Sequence, residues 1–163
     1  MRMSVVGRAA WTASNISAAV QAALPTTDIL IKAAAVADYK PAEVSDQKMK
    51  KSDRSLSIPL ARTQDILGWV AEHRHPGLFT CGFSMETQNM VENSRAKLDK
   101  KNLDMIVANN LKDEGAGFGV PTNVVTLITR DGVTPLPLMG KDAVARHLLD
   151  TIQQMRTGAS GDL

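Results

Sequence analysis

The residues best suited to chemistry lie in one stretch, 33–51. Ala33-Ala34-Ala35-Val36-Ala37 is a run of small side chains, Asp38 follows it, and Lys48, Lys50 and Lys51 place three cations within four positions. Small side chains let a flat ring or a ligand backbone approach closely. A carboxylate beside them can hold a ribose hydroxyl, a base amino group or a hydrated metal. A triphosphate needs several cations, to offset both its own charge and the charge that develops on attack at phosphorus. A solvated basic loop is the plainer account of Lys-x-Lys-Lys taken alone. Its place behind a strand that ends in small residues and an aspartate favours the ligand.

Three further groups could contribute. Gly82-Phe83-Ser84-Met85-Glu86-Thr87 offers a glycine and an aromatic as a stacking surface, although Phe83 alone reads more readily as core and Glu86 or Thr87 as a helix cap. Lys97 and Lys101 are four apart on one helix face, where a shared anion would relieve their repulsion; with Lys100 they could instead complement the helix C-terminus. Asn109, with Asn110, Phe118 and Asn123 beyond it, could bond a ligand or close a turn. His73, His75 and His147 form no metal motif with carboxylates. No Gly-x-Gly-x-x-Gly, Walker lysine loop or Gly-x-Ser-x-Gly elbow occurs.

Composition narrows the classes. The 163 residues suffice for one domain with a core, and 44% hydrophobic with 22% charged residues is ordinary for a soluble globular protein. A formal net charge of +2 with only 4% aromatics argues against a nucleic-acid binder. Cys81 is the sole cysteine, so no internal disulfide or cysteine-based zinc site exists, which fits a cytoplasmic setting. No apolar run approaches a membrane span, and the start has no secretory h-region.

The elements that must position these residues follow from periodicity. Thr12 or Ser14 caps a first helix with Ile16, Ala19, Val20 and Ala23 on one face. Residues 28–35 read as a buried strand opening into a loop. Residues 41–54 read as a mobile surface loop and 55–60 as a half-buried strand, at a sheet edge because of Pro59. Thr63 caps a second helix, and Ile66, Leu67 and Val70 form its inner face. A strand over 78–84, a helix from Thr87 to about Lys101 and a strand over 103–108 follow. Residues 123–129 and 133–138 read as a hairpin around Asp131-Gly132, before a final helix from about Lys141 to Met155. The alternation predicts a three-layer α/β fold: a mostly parallel sheet flanked by helices, Rossmann-like, with a C-terminal hairpin. Ligands in such sheets bind at strand carboxyl ends, which selects the loops after Ala35, Phe83 and Ala108.

Taken in order, these motifs resemble phosphopantothenate–cysteine ligases. Ala-Ala-Val-Ala-Asp-Tyr with Lys-x-Lys-Lys ten residues after the aspartate is similar to the family signature. Thr63-Gln64-Asp65-Ile66-Leu67 resembles its Thr/Asn-Pro-Asp-Ile-Leu element, with Gln64 in place of proline. Gly82 to Thr87 resembles its Gly-Phe-x-x-Glu-Thr. Lys97 through Asn109 resembles its Lys-x-x-x-Lys-x-x-Asp-x-Ile-Val-Ala-Asn, and residues 115–126 its Gly-x-Gly-Phe…Asn-x-Val segment.

The resemblance implies coenzyme A biosynthesis. A 4'-phosphopantothenate carboxylate attacks the α-phosphorus of CTP with Mg²⁺ present, and cysteine then captures the acyl-cytidylate. It implies Lys48 as the catalytic lysine of the first step. Ala34, Asp38, Lys48, Asp65, Phe83, Lys97 and Lys101 are similar to CTP-binding positions, with Ala33, Lys50, Thr63, Ile66 and Asn109 as further contacts. It also implies a homodimer in the cytoplasm, for which the 123–138 hairpin is the contact expected here, and no flavin in this chain. One departure stands out. The family begins with a glycine-rich loop and an Ile-Ser-Asn-x-Ser-Ser-Gly segment that nothing in residues 1–24 matches. Asn15, in Ala-Ser-Asn-Ile-Ser, lies too close to the following strand to replace it. The expectation is therefore a single, N-terminally incomplete ligase domain over residues 1–156 with a disordered tail over 157–163. Activity would be impaired, or the chain would be a non-catalytic nucleotide-binding or dimerisation remnant.

Overall fold

The computed structural model describes residues 12–48, 57–110, 116 and 119–158. Helix α1 (Ala13–Ala23) starts where Thr12 accepts a hydrogen bond from the Asn15 amide at 3.2 Å, as its sequence predicts. Strand β1 (Ile29–Lys32) follows, then two short strands, β2 (Tyr39–Pro41) and β3 (Leu60–Arg62), which pair antiparallel as a separate ribbon. Helix α2 (Ile66–Glu72), strand β4 (Phe79–Glu86), helix α3 (Met90–Lys100) and strand β5 (Met105–Asn110) make two strand–helix–strand crossovers. Short β6 (Thr122–Asn123) and β9 (Met139–Gly140) pair with each other around the hairpin of β7 (Val125–Thr129) and β8 (Val133–Pro135). Helix α4 (Lys141–Thr157) closes the described chain.

The main sheet has the order β1-β4-β5-β7-β8. Strands β1, β4 and β5 are parallel, while β7 and β8 add antiparallel, so the expected C-terminal hairpin extends the sheet. Side chains alternate between two faces. Ile29, Phe79, Cys81, Met105, Val107 and Leu127 meet Val144, Leu148 and Ile152 of α4. On the other face Ile106, Ala108 and Ile128 meet Leu98 of α3, and Val20, Ile66 and Val70 join α1 to α2. Each fully buried aliphatic side chain contributes about 1.5–3 kcal/mol by leaving water. Gly82 lies on this second face, and a Cβ there would come within 2.8 Å of Leu103 and 3.3 Å of Leu67. Its role is close packing inside the sheet, so it forms no part of a stacking surface.

Several boundaries correct the sequence reading. Of the stretch expected to be a half-buried strand over 55–60, residues 57–60 are described; they are exposed and strand only from Leu60, and residues 55 and 56 lie outside the described residues. Antiparallel pairing with β2 lifts it away from the main sheet and leaves it no face to bury. The same pairing makes the start of the presumed 41–54 loop part of a ribbon stem, with the Ala42 amide donating to the Pro59 carbonyl at 2.9 Å. Helix α2 is capped by Asp65, whose carboxylate accepts from the Gly68 amide at 3.0 Å; Thr63 is not the cap. Helix α3 begins at Met90, because β4 continues to Glu86 and Asn89 takes a left-handed conformation with φ 47°. Thr157 still belongs to α4, and Gly158 (φ 70°) ends it. Residues 159–163, the rest of the expected tail, lie outside the described residues.

Candidate functional site

Beyond β1 the chain presents Ala33, Ala34 and Ala35 to solvent. The backbone that follows is fixed by Thr63. Its hydroxyl donates to the Ala37 carbonyl at 2.6 Å and its amide to the Asp38 carbonyl at 2.9 Å. Thr63 therefore anchors the base of the ribbon, just after the small-residue run, and holds Asp38 there. The exposed Tyr39 ring lies under the Arg62 guanidinium at 5.9 Å. Lys48 is exposed on the chain leaving the ribbon. Lys50 and Lys51 lie outside the described residues, as do Gly115 and Phe118.

Two chemically different surfaces meet at this end of the sheet. On the α4 face is a cavity of about 560 Å³ lined by Ile31, Ala33, Ala34, Phe83, Asn109 and Leu148, among others. That volume suits a small organic ligand. Phe83 is half-buried, packs against the core and lines this cavity. Asn109 donates to the Ser84 carbonyl at 3.2 Å and accepts from Asn123 at 2.6 Å. These bonds fix the amide on the cavity wall.

The opposite face carries charge. Lys97 donates to Glu86 at 2.6 Å, and Lys101, just past the last turn of α3, pairs with Asp65 at the start of α2. The two lysines expected to share an anion thus each hold a separate carboxylate. Glu86, considered as a cap, is instead the partner of Lys97. Burial opposes ionisation of Asp65, but the hydrogen bonds from Lys101 and the Gly68 amide, with the charges of Lys101 and Lys100, outweigh it. Its carboxyl consequently lies below the ordinary value of 3.8. Ser84 and Ser94 are hydrogen-bonded at 2.7 Å in the interior and fix α3 on β4 behind these pairs. Ile66 is buried between α1 and α2, so its side chain cannot reach a ligand.

Lys32 was missed by the sequence reading. It follows Ile29-Leu30-Ile31 on β1 and is half-buried, donating to the Ala34 carbonyl at 3.3 Å. Burial lowers its pKa, against the pull of the Asp65 and Asp38 charges. A cation ending a buried apolar run was the available signal. No group of three or more His, Cys, Asp or Glu able to hold a metal occurs among the described residues. The described residues therefore do not fit a protein-built Mg²⁺ cage.

This arrangement defines a three-layer α/β protein whose candidate site spans the carboxyl end of its parallel strands, apolar on one face and charged on the other. The chain belongs to the DNA/pantothenate metabolism flavoprotein C-terminal domain family, whose profile matches residues 3–155. It is 44% identical over 142 residues to the coenzyme A biosynthesis bifunctional protein CoaBC of Bacillus subtilis (strain 168), covering 86% of this chain and 35% of that protein. A solved C-terminal domain of a CoaBC protein superposes with TM-score 0.69 at 36% identity, covering 87% of this chain and 61% of that one. A Cab2 mutant in complex with phosphopantothenate-cysteine superposes with TM-score 0.61 at 16% identity, which shows the fold alone. The chain thus spans about a third of the Bacillus protein and under two thirds of the solved domain.

The depressed Asp65 carboxyl gives a pH signature. Its contribution to stability is complete above the unfolded-state value of about 4 and is lost as pH falls through the lower folded value. A carbon-13 titration should place the Asp65 midpoint below 3.8, and Lys101→Met should raise it. An unchanged midpoint in that variant would remove Lys101 as the cause.

Proposed function

We propose that this chain carries the nucleotide-activating site of a phosphopantothenate–cysteine ligase in coenzyme A biosynthesis. The observation that supports the reading is a strand end with an alanine-lined, organic-sized cavity on one face of the sheet and the Lys97–Glu86 and Lys101–Asp65 pairs on the other. Family membership supports the same reading.

CTP lies across the strand ends, its base against Ala33, Ala34 and Phe83 and its phosphates toward Lys97, Lys101 and Lys48. The 4'-phosphopantothenate carboxylate attacks the α-phosphorus, pyrophosphate leaves with the electron pair of the broken P–O bond, and an acyl-cytidylate remains. The cysteine amine then attacks the acyl carbon, CMP departs, and the amine's proton is lost to solvent. A carboxylate is a poor acyl donor until it carries such a leaving group. Lysines aimed at phosphate oxygens stabilise the charge that develops on phosphorus and pyrophosphate. The assignment of Lys48 rests on its place in the signature.

Calorimetric titration should show CTP binding to the purified chain more tightly than ATP. Lys48→Gln should slow pyrophosphate release by roughly a hundredfold, the usual effect of losing one oxyanion partner. Equal rates in wild type and variant would sink the Lys48 assignment. CTP bound with no pyrophosphate release from wild type would leave the non-catalytic module as the better description.

The protein also forms a homodimer in this proposal. Strand β8 is exposed at the sheet edge; Val133 within it and Leu138 just after it are exposed large apolar residues. Sedimentation should give twice the chain mass, and Val133→Asp should halve it. A monomeric wild type, or a dimer indifferent to Val133→Asp, would count against this contact.

A further inference from the structure

We propose that Lys32 is a positioning residue for the nucleotide, holding Asp65 as counter-charge when Lys101 leaves that carboxylate for the phosphates. This rests on the nucleotide reading above. Asp65 already has one ammonium partner, Lys101, whose side chain is only 23% exposed. Lys32 lies on the same face of β1 as Leu30, which packs toward α1 and α2, and so is turned toward the start of α2. Its ammonium is held by the Ala34 carbonyl and attracted by Asp65 and Asp38. The charged groups around it are thus Asp38 from the ribbon base, Asp65 from the start of α2 and, through Asp65, Lys101 and Lys100 from the end of α3.

Charge counting gives the reason for a second cation. Without ligand, Lys32 and Lys101 balance Asp38 and Asp65. A polyphosphate that takes Lys101 would otherwise face an uncompensated Asp65 carboxylate, and like charges at close range oppose binding. With Lys32 in place, the carboxylate keeps a partner. Lys101 can then be exchanged between Asp65 and the ligand without leaving Asp65 bare. Lys32 is half-buried, and burial disfavours its charged form, so it has no evident purpose as a packing element.

The test is a double-mutant cycle read by CTP titration on the full chain: wild type, Lys32→Met, Asp65→Asn and the pair. Lys32→Met should weaken CTP by about tenfold when Asp65 is present, a coupling within the range for groups in one charge network. It should have no effect in the Asp65→Asn background, where no carboxylate needs a partner. Lys32→Arg should bind CTP as wild type does. Methionine matches the lysine stem and removes a desolvated charge, so the variant should fold; Lys32→Gln replaces it in the cycle should circular dichroism show otherwise. Equal losses in both backgrounds would overturn the proposal by showing that Lys32 acts on the phosphate directly. No loss in either background would overturn it as well. A wild type that binds no CTP would overturn the nucleotide reading and this proposal together. Either failure with wild-type binding intact refutes only the role of Lys32.

Discussion

Strands β1, β4 and β5 run parallel between two helix layers, and nearly every side chain along the middle of β4 and β5 is buried. Charged side chains therefore have room only at the strand ends. At the amino end, Arg74 donates to both Asp104 oxygens, to the Leu78 and Asn102 carbonyls and to the Thr80 hydroxyl. That network ties the end of α2 to the starts of β4 and β5, and its groups are spent on one another. The carboxyl end differs, with small residues, an amide on a cavity wall and two lysines each paired with one carboxylate.

The charge pairs at that end have a simple logic. Lys97 and Lys101 are separated by one turn of α3, where two bare ammonium groups would repel. Glu86 and Asp65 quench that repulsion in the unliganded protein, at the cost of competing with any incoming anion. In the proposed site, an incoming anion would exchange these ion pairs. In the proposal, Lys32 supplies the spare cation for that exchange. It lies within β1, before the signature residues, because the strand's alternation turns its side chain toward α2.

Much of this was legible in the sequence. The apolar faces of α1, α2 and α4, the parallel strands and the hairpin around Asp131-Gly132 follow from periods of 3.6 and 2 and from turn chemistry. Asn109 was correctly placed near the end of β5, whereas Phe83 lies inside β4, which pairs with β5 as far as Glu86, so the loop expected directly after Phe83 is strand. The errors came where tertiary pairing overrode local signals. Residues 39–41 and 60–62 pair across a long separation, which no local pattern reveals. Thr63 has the right chemistry for an N-cap, yet its hydroxyl is taken by the Ala37 carbonyl and Asp65 caps instead. Gly82 looked like a ligand surface, although Leu103 and Leu67 are what require it. The ion-pair partners of Lys97 and Lys101 depended on how α3 lies across β4 and α2.

In the proposed reading, CTP binds at the carboxyl end of the parallel strands and engages the α3 lysines. Amide and lysine-ammonium NMR spectra, recorded during titration with CTP and Mg²⁺, test it most directly. The account predicts shifts at Ala33, Ala34, Ala35, Asp65, Phe83, Lys97 and Lys101, with Asn102, Asp104 and Arg130 at the opposite end unmoved. Saturable shifts confined to that opposite end, or none anywhere, would contradict it.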